Sequence, residues 1–69
     1  MLTIKVKRAN QNWELLGTAY NTRLAEHLVK ESFADTAVWL AEIWWKDDLL
    51  QSWCRGSDGQ PSLIHYRAI

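Results

Sequence analysis

The stretch VWLAEIWWKDD, residues 38–48, decides the fold, because it could form either a helix or a strand and the two choices give different architectures. In a helix, with 100° between successive residues, its charged side chains would scatter around the whole circumference and leave no clean apolar side. In a strand, residues 36–45 are rich in β-forming types, and Lys46, Asp47 and Asp48 then supply a polar turn. The charges therefore favour a strand that ends in a turn.

Two strands are predicted ahead of this stretch. Residues 2–8 alternate between apolar and polar side chains, which is the period of a half-buried strand. The polar residues 9–12 are typical of a hairpin connection to a second strand at residues 13–20. One face of that second strand is expected to carry Trp13, Leu15, Gly17 and Ala19.

An amphipathic helix is predicted after the hairpin. Asn21 or Thr22 can accept a hydrogen bond from a first-turn N–H and so cap the helix. Glu26 and Lys30 are expected to form a favourable pair, four residues apart, on its polar side. The apolar stripe, which must pack on the sheet, consists of Leu24, Ala25, Leu28, Val29 and Phe33.

Two further strands complete the predicted fold. Residues 49–55 form a fourth strand, and GSDG at residues 56–59 is a strong turn signal because glycine and aspartate tolerate positive φ. Residues 62–68 form a fifth strand. The sequence thus predicts one α+β domain over residues 1–69: an antiparallel five-stranded sheet with one helix packed on one face, in the order ββαβββ.

The third predicted strand is apolar on both sides, whereas one helix covers only one face of a sheet. We expect the side that carries Glu42 to stay open, because an unpaired carboxylate is costly to bury. Strict alternation assigns to this open side Val38, Leu40, Glu42 and Trp44. It assigns to the helix side Ala37, Trp39, Ala41, Ile43 and Trp45.

The open side is the candidate functional surface. Five tryptophans in 69 residues are more than one helix over a small sheet readily encloses. Exposed apolar patches mark interaction sites, and Trp and Tyr are frequent among the residues that dominate binding. The expected protein-binding residues are Trp44, its neighbours Trp53 and Tyr66, and an acidic rim of Glu42, Asp47 and Asp48.

Charge and residue content argue against several other classes of protein. Eight basic and eight acidic side chains cancel, so no net field attracts nucleic acid or an anionic membrane, and no segment is long enough to span a bilayer. The single cysteine, Cys54, allows no internal disulfide and fits the reducing cytoplasm. Cys54 and His65 match no catalytic motif, and Asp47 with Asp48 offers too few ligands for a divalent metal. We expect no enzyme activity, cofactor, metal or small-molecule substrate.

Two other functions remain open. Aromatic side chains among basic ones can form a stacking platform for single-stranded nucleic acid. The basic residues in question are Lys5, Lys7, Arg8, Arg55 and Arg67. Lys5 and Lys7 are more simply interpreted as charges that protect a strand edge from unwanted pairing. The other alternative is a homodimer, in which two copies of the chain pack through their open faces.

About half of the chain carries a resemblance to a known class of proteins. The residues concerned are the helix sequence NTRLAEHLVKESF (21–33) and the following TAVWLAEIWWKDDLLQSWCRGSDGQ (36–60). In architecture the chain resembles the very small accessory proteins of phages and mobile elements, among them some anti-CRISPR proteins. Such proteins commonly act without catalysis, by covering a surface on a larger host assembly. The resemblance implies a stoichiometric inhibitor or adaptor, and the neutral charge favours an aromatic contact over imitation of nucleic acid.

Overall fold

The computed structural model of the chain describes residues 1–67. It confirms the predicted α+β fold, with five strands and one helix in the order ββαβββ. The elements are β1 (Leu2–Arg8), β2 (Trp13–Ala19), α1 (Thr22–Ser32), β3 (Val38–Trp45), β4 (Asp48–Arg55) and β5 (Pro61–Tyr66). The predicted last strand was extended to Ala68, which lies outside the described residues.

The five strands form one antiparallel sheet in the order β2-β1-β3-β4-β5. The hairpin partner β2 pairs with one side of β1, and β3 pairs with the other side after the helix has crossed the sheet. The idea that Lys5 and Lys7 protect a strand edge is therefore wrong, because β1 is an interior strand. The edges are β2 and β5.

The helix begins at an asparagine cap. The Asn21 side-chain oxygen accepts a hydrogen bond from the Leu24 backbone N–H at 2.9 Å, which satisfies one of the free donors of the first turn. Ala25, Val29 and Phe33 are buried against the sheet. Leu24, which was predicted to share this stripe, is 38% exposed because it lies at the margin of the buried face.

The core lies between α1 and the sheet, where the apolar stripe of the helix meets the apolar side of the strands. Half-buried Leu28 and Trp45 pack against its margin. Its buried members are Leu2, Ile4, Val6, Ala19, Ala25, Val29, Phe33, Val38, Ala41, Ile43, Leu50 and Trp53.

Four strands contain one extra residue relative to the neighbour with which they pair, which is the signature of a β-bulge. The extra residues are Leu16 in β2, Trp39 in β3, Leu50 in β4 and Ile64 in β5. Each bulge breaks the strict alternation of side chains between the two faces. In β3, Val38 consequently belongs to the core and Trp39 is 53% exposed, contrary to the alternating assignment.

The same effect corrects the predicted face of β2. Gly17 lies opposite Ile4, and Ala19 lies opposite Leu2, so both belong to the core side. Trp13 and Leu15 lie on the other side of the Leu16 bulge, opposite Lys7 and Lys5 respectively. The four residues that were expected to share one face are therefore divided between two.

A polar network joins the helix to β4. The buried Gln51 amide nitrogen donates to the Glu26 carboxylate, and the Trp53 indole N–H donates to the Gln51 side-chain oxygen, both at 2.9 Å. The Lys30 ammonium lies 5.8 Å from the centre of the Trp53 ring. Glu26 and Lys30 thus reach the sheet, whereas the sequence predicted a pair on the polar side of the helix.

Arg55 connects the loops at one end of the sheet. Its guanidinium donates to the backbone carbonyls of Phe33, Asp35, Val38 and Gly59 at 2.7–3.1 Å. The predicted GSDG turn closes beside it, where Gly59 has a φ of 83° and donates its N–H to the Gly56 carbonyl.

Candidate functional site

The side of the sheet opposite α1 is called the open face. Residues that lie directly opposite each other in an antiparallel pair point to the same side, so the strand register defines this face. In the described chain, α1 packs on the other side, against β1, β2 and β3. The open face consists of Trp13, Leu15, Thr18, Thr3, Lys5, Lys7, Leu40, Glu42, Trp44, Leu49, Ser52, Cys54, Ser62 and His65.

Trp44 is held by two neighbours on the open face. Its indole N–H donates to the Glu42 carboxylate at 3.0 Å, and the Lys5 ammonium lies 5.1 Å from the centre of its ring. The side chain is half-buried. A hydrogen bond at one edge of the indole and a cation over its ring restrict the rotation of the side chain. Trp44 is thus presented in one orientation.

Apolar side chains from β2 extend the surface beyond Trp44. Trp13 is 39% exposed and Leu15 is 64% exposed, and both lie across β1 from β3. On β3, Leu40 is half-buried and lies opposite Lys7. Lys5 and Lys7 lie on β1 between these two strands, and long basic side chains can cover apolar surface with their methylene groups. We call Trp13, Leu15, Leu40 and Trp44 the aromatic patch.

Charges of both signs lie within the aromatic patch. Lys5 and Glu42 are cross-strand partners, and the Lys7 ammonium donates to the Gln11 backbone carbonyl at 2.8 Å. Lys5 lies over the Trp44 ring and Glu42 accepts from the Trp44 indole, so charges of both signs stand beside the patch and the surface does not carry a strong field of one sign.

The five basic residues considered in the sequence do not form one patch. Arg8 pairs with Glu14 and Asp35 at the rim of the sheet. The Arg55 guanidinium donates hydrogen bonds to backbone carbonyls, and Arg67 pairs with Asp48 at 3.3 Å. Only Lys5 and Lys7 lie on the open face.

Trp53 and Tyr66 are not neighbours of Trp44, contrary to the sequence-based expectation. Trp53 lies opposite Ala41 and is only 8% exposed, and Tyr66 lies opposite the buried Gln51. The cause is the bulge at Leu50, because without this extra residue Trp53 would lie opposite Leu40 on the open face. Both aromatic side chains are on the helix side of the sheet.

The expected acidic rim is also divided between the two faces. Glu42 lies on the open face beside Trp44. Asp48 opens β4 opposite Trp45, which is on the helix side, and it pairs with Arg67. Asp47 is exposed in the two-residue turn between β3 and β4. Of the three carboxylates, only Glu42 contacts Trp44 through a hydrogen bond.

The sequence interpretation placed Leu40 on the open side but did not connect Trp13 and Leu15 with the candidate site. The register of the first hairpin was the missing information. Lys5 and Lys7 were expected to point away from the core, but a connection at residues 9–12 would place Glu14 and Leu16 opposite them. The observed pairing of Lys7 with Trp13 and of Lys5 with Leu15 is shifted by one residue, and this shift places Trp13 and Leu15 on the open face.

Cys54 and His65 share the open face but are not cross-strand partners, since Cys54 lies opposite Ser62 and His65 opposite Ser52. Among the described residues, no group of three or more His, Cys, Asp or Glu side chains could hold a metal ion, and no helix has both the length and the apolar character needed to cross a bilayer.

No protein-family model, curated protein or solved structure matches the chain.

Proposed function

We propose that the protein is a small, non-catalytic protein-binding module that contacts its partner through the aromatic patch on the open face. The observation that carries this proposal is the placement of two exposed or half-buried tryptophans, Trp13 and Trp44, on a sheet face that α1 does not cover. We place its activity in the cytoplasm, on account of its single thiol. The mode of action is that of a stoichiometric inhibitor or adaptor, as in the phage and mobile-element accessory proteins that the chain resembles.

The orientation of Trp44 supports a binding role. Tryptophan offers a large rigid contact area, and residues of this type commonly dominate the binding energy of protein interfaces. Lys5 and Glu42 already restrict the indole, so little conformational entropy remains to be lost when a partner docks. The half-buried Trp44 forms an anchor, and the more exposed Leu15 and Trp13 lie farther across the same face, in the rows of Glu42 and Leu40 respectively.

The chemistry of the open face favours a protein partner of mixed charge. Lys5 and Lys7 contribute two positive charges, and Glu42 contributes a negative charge at the centre. A protein surface with apolar groups and charges of both signs complements this arrangement. The face measures roughly 24 by 20 Å for five strands of about six residues, or about 480 Å² per partner, which corresponds to a small, transient interface.

Single-stranded nucleic acid is the second candidate ligand, because Lys5 and Lys7 lie among Trp13 and Trp44 on the same face. Bases stack on aromatic side chains while lysines contact phosphates. Since a ligand of this kind releases counterions, its affinity must fall steeply with added salt. Titration with fluorescent single-stranded DNA at low and moderate salt tests this candidate. Binding that is strong at low salt and lost at moderate salt supports nucleic acid, and absent binding at low salt removes it.

Affinity capture from a cytoplasmic lysate tests the main proposal. The immobilised wild type is compared with Trp13→Glu and Trp44→Glu, which place a carboxylate in the aromatic patch. Tyr20→Glu is the matched control, because Tyr20 is an exposed aromatic residue, 82% accessible, that lines a cleft with Trp45 on the helix side. Circular dichroism and thermal melting first establish that every variant is folded.

We expect a stoichiometric partner to be retained by the wild type and the Tyr20→Glu variant and lost by both tryptophan variants. Equal retention by all four proteins would contradict the proposal. A large fall in the melting temperature of Trp44→Glu would assign Trp44 a structural role. Trp13→Glu then decides the proposal, since Trp13 lies on an edge strand and its substitution leaves the core intact.

A further inference from the structure

The edge strand β5 is poorly protected against pairing with another strand. One side of β5 pairs with β4, whereas no other strand pairs with its outer side in the described part of the chain. An outer strand edge presents free N–H and C=O groups. Edge strands usually avoid association through charged side chains, but residues 61–66 contain no Asp, Glu, Lys or Arg.

The side chains of β5 are also unusually apolar for their exposure. Leu63 is 43% exposed, Ile64 is 60% exposed and Tyr66 is 63% exposed. Pro61 protects only the first position of the strand. The opposite edge of the sheet, β2, differs because it contains Glu14, whose carboxylate pairs with Arg8. Of the two edges, β5 is therefore the one that can accept a strand without burying a charge.

The bulge at Ile64 gives this edge a specific shape. Leu63 lies opposite Trp53, and Tyr66 lies opposite Gln51, so both side chains are on the helix side although they are three residues apart. Trp53 and Gln51 are buried, whereas their partners Leu63 and Tyr66 on the edge strand are exposed. Leu63 and Tyr66 form a small exposed apolar surface, which a neighbouring strand with similar side chains would cover.

We propose that two copies of the protein associate through antiparallel pairing of their β5 strands, which joins the two sheets into one of ten strands. A twofold axis between Ile64 and His65 brings Leu63 of each copy opposite Tyr66 of the second copy. These four side chains then continue the core beyond Trp53 across the axis. The free backbone groups along the edge gain hydrogen-bond partners at the same time.

The occupant is a second copy because an antiparallel pair of identical strands is self-complementary. Two copies of residues 61–66 approach without repulsion between carboxylates or between lysine and arginine side chains, since the strand contains no Asp, Glu, Lys or Arg. Pairing of β5 with β5 also closes as a dimer, whereas pairing of β5 with β2 would continue into an open filament. The twofold axis is perpendicular to the sheet, so both open faces lie on the same side. The dimer would thus present two aromatic patches to one partner assembly and gain avidity from both.

Sedimentation velocity over about 5–500 µM, the range in which small interfaces dissociate, tests this inference. The wild type is compared with Ile64→Lys, which places a charge on the β5 edge. The matched control is Leu15→Lys, because Leu15 is a similarly exposed residue, 64% against 60%, on the opposite edge strand and on the open face. Partner capture by Ile64→Lys is measured in parallel, which separates a failure of this inference from a failure of the proposed function.

We expect the mass of the wild type and Leu15→Lys to rise from 8.1 kDa toward that of a dimer with concentration, while Ile64→Lys stays monomeric. A wild type that is monomeric throughout would overturn the inference. Dissociation by Leu15→Lys alone would assign the contact to the open faces, and growth beyond a dimer would indicate open strand addition; either result also overturns it.

Amide hydrogen exchange of the wild type provides a readout that needs no substitution. If β5 pairs with a second copy, amides of residues 62–66 that point away from β4 become protected as the concentration increases. Protection that is independent of concentration, or that increases only in the strands that carry the aromatic patch, contradicts pairing through β5.

Discussion

Arg55 is the side chain on which the loops at one end of the sheet depend. Its guanidinium donates hydrogen bonds to four backbone carbonyls and lies 5.3 Å from the centre of the Phe33 ring. The planar guanidinium offers five donors, whereas a lysine ammonium offers three from a single point. A lysine at this position would therefore keep the positive charge but could not make all of these hydrogen bonds.

We expect Arg55→Lys to lower the free energy of unfolding by about 1–2 kcal/mol, because several partly buried carbonyls lose hydrogen bonds from a charged donor. Arg67→Lys is the control, since Arg67 forms an exposed ion pair with Asp48 and its replacement should change stability by less than about 0.5 kcal/mol. Urea denaturation of both variants measures the difference. Equal stability of Arg55→Lys and wild type would show that the carbonyl contacts contribute little.

Asp35 makes stability depend on pH at the same end of the sheet. The hydrogen bond from Arg8, and next that from the Ala37 backbone N–H, hold the pKa of the Asp35 carboxyl below its ordinary value. A lowered pKa in the folded state stabilises the protein above the unfolded pKa, and this contribution is lost as the pH falls through the folded pKa.

We therefore expect Asp35→Asn to be less stable than the wild type at neutral pH, with a difference that shrinks once the pH falls below about 4. Thermal melting of both proteins from pH 7 to acid measures it. A difference that stays constant over the whole range would contradict the assignment of the ion pair.

The elements themselves were predictable because each carries a local signal. Alternation predicted β1, an asparagine cap and apolar spacing predicted α1, and GSDG predicted the last turn. The scatter of charges in residues 38–48 correctly favoured a strand over a helix, and the structure places β3 at Val38–Trp45. These signals act within a few residues of each other, so a single sequence contains them.

The faces of the strands were less predictable because bulges depend on pairing between distant segments. The bulge at Leu50 is visible only when β4 is aligned with β3, and it moves Trp53 from the open face to the core. The expectation for Glu42 and Trp44 did not depend on a bulge, because alternation within residues 41–45 is intact. The candidate site was therefore predictable at its centre on β3 and not in its neighbours on β4 and β5.

Substitution of two glycines separates the effect of backbone conformation on stability from the effect of packing. A methyl group added at Gly17 or at Gly59 would meet no heavy atom within 4 Å, but only Gly59 has a positive φ, at 83°. We expect Gly59→Ala to destabilise the protein by about 1 kcal/mol, and Gly17→Ala to be neutral or to stabilise it by up to about 1 kcal/mol. Urea denaturation of both variants measures this contrast, and destabilisation of the same size at both sites would contradict it.

At the scale of the whole molecule, one short helix over a five-stranded sheet leaves two unsatisfied surfaces. The open face carries the aromatic patch, and the β5 edge carries free backbone groups and apolar side chains. The two surfaces are separate, because the patch is built on β1, β2 and β3 while β5 lies at the far edge of the sheet. A partner and a second copy can therefore bind at the same time without competing.

The indole N–H groups of the five tryptophans provide the most direct test of the central claim, that the open face binds a protein. In the nuclear magnetic resonance spectrum of protein labelled with ¹⁵N-tryptophan, each indole gives its own signal. Trp53 is an internal control, because it is buried and its N–H is bonded to Gln51. On titration with the captured partner, we predict that the Trp13 and Trp44 signals shift or broaden while Trp53 stays unchanged. Unchanged Trp13 and Trp44 signals in the presence of a bound partner would contradict the account.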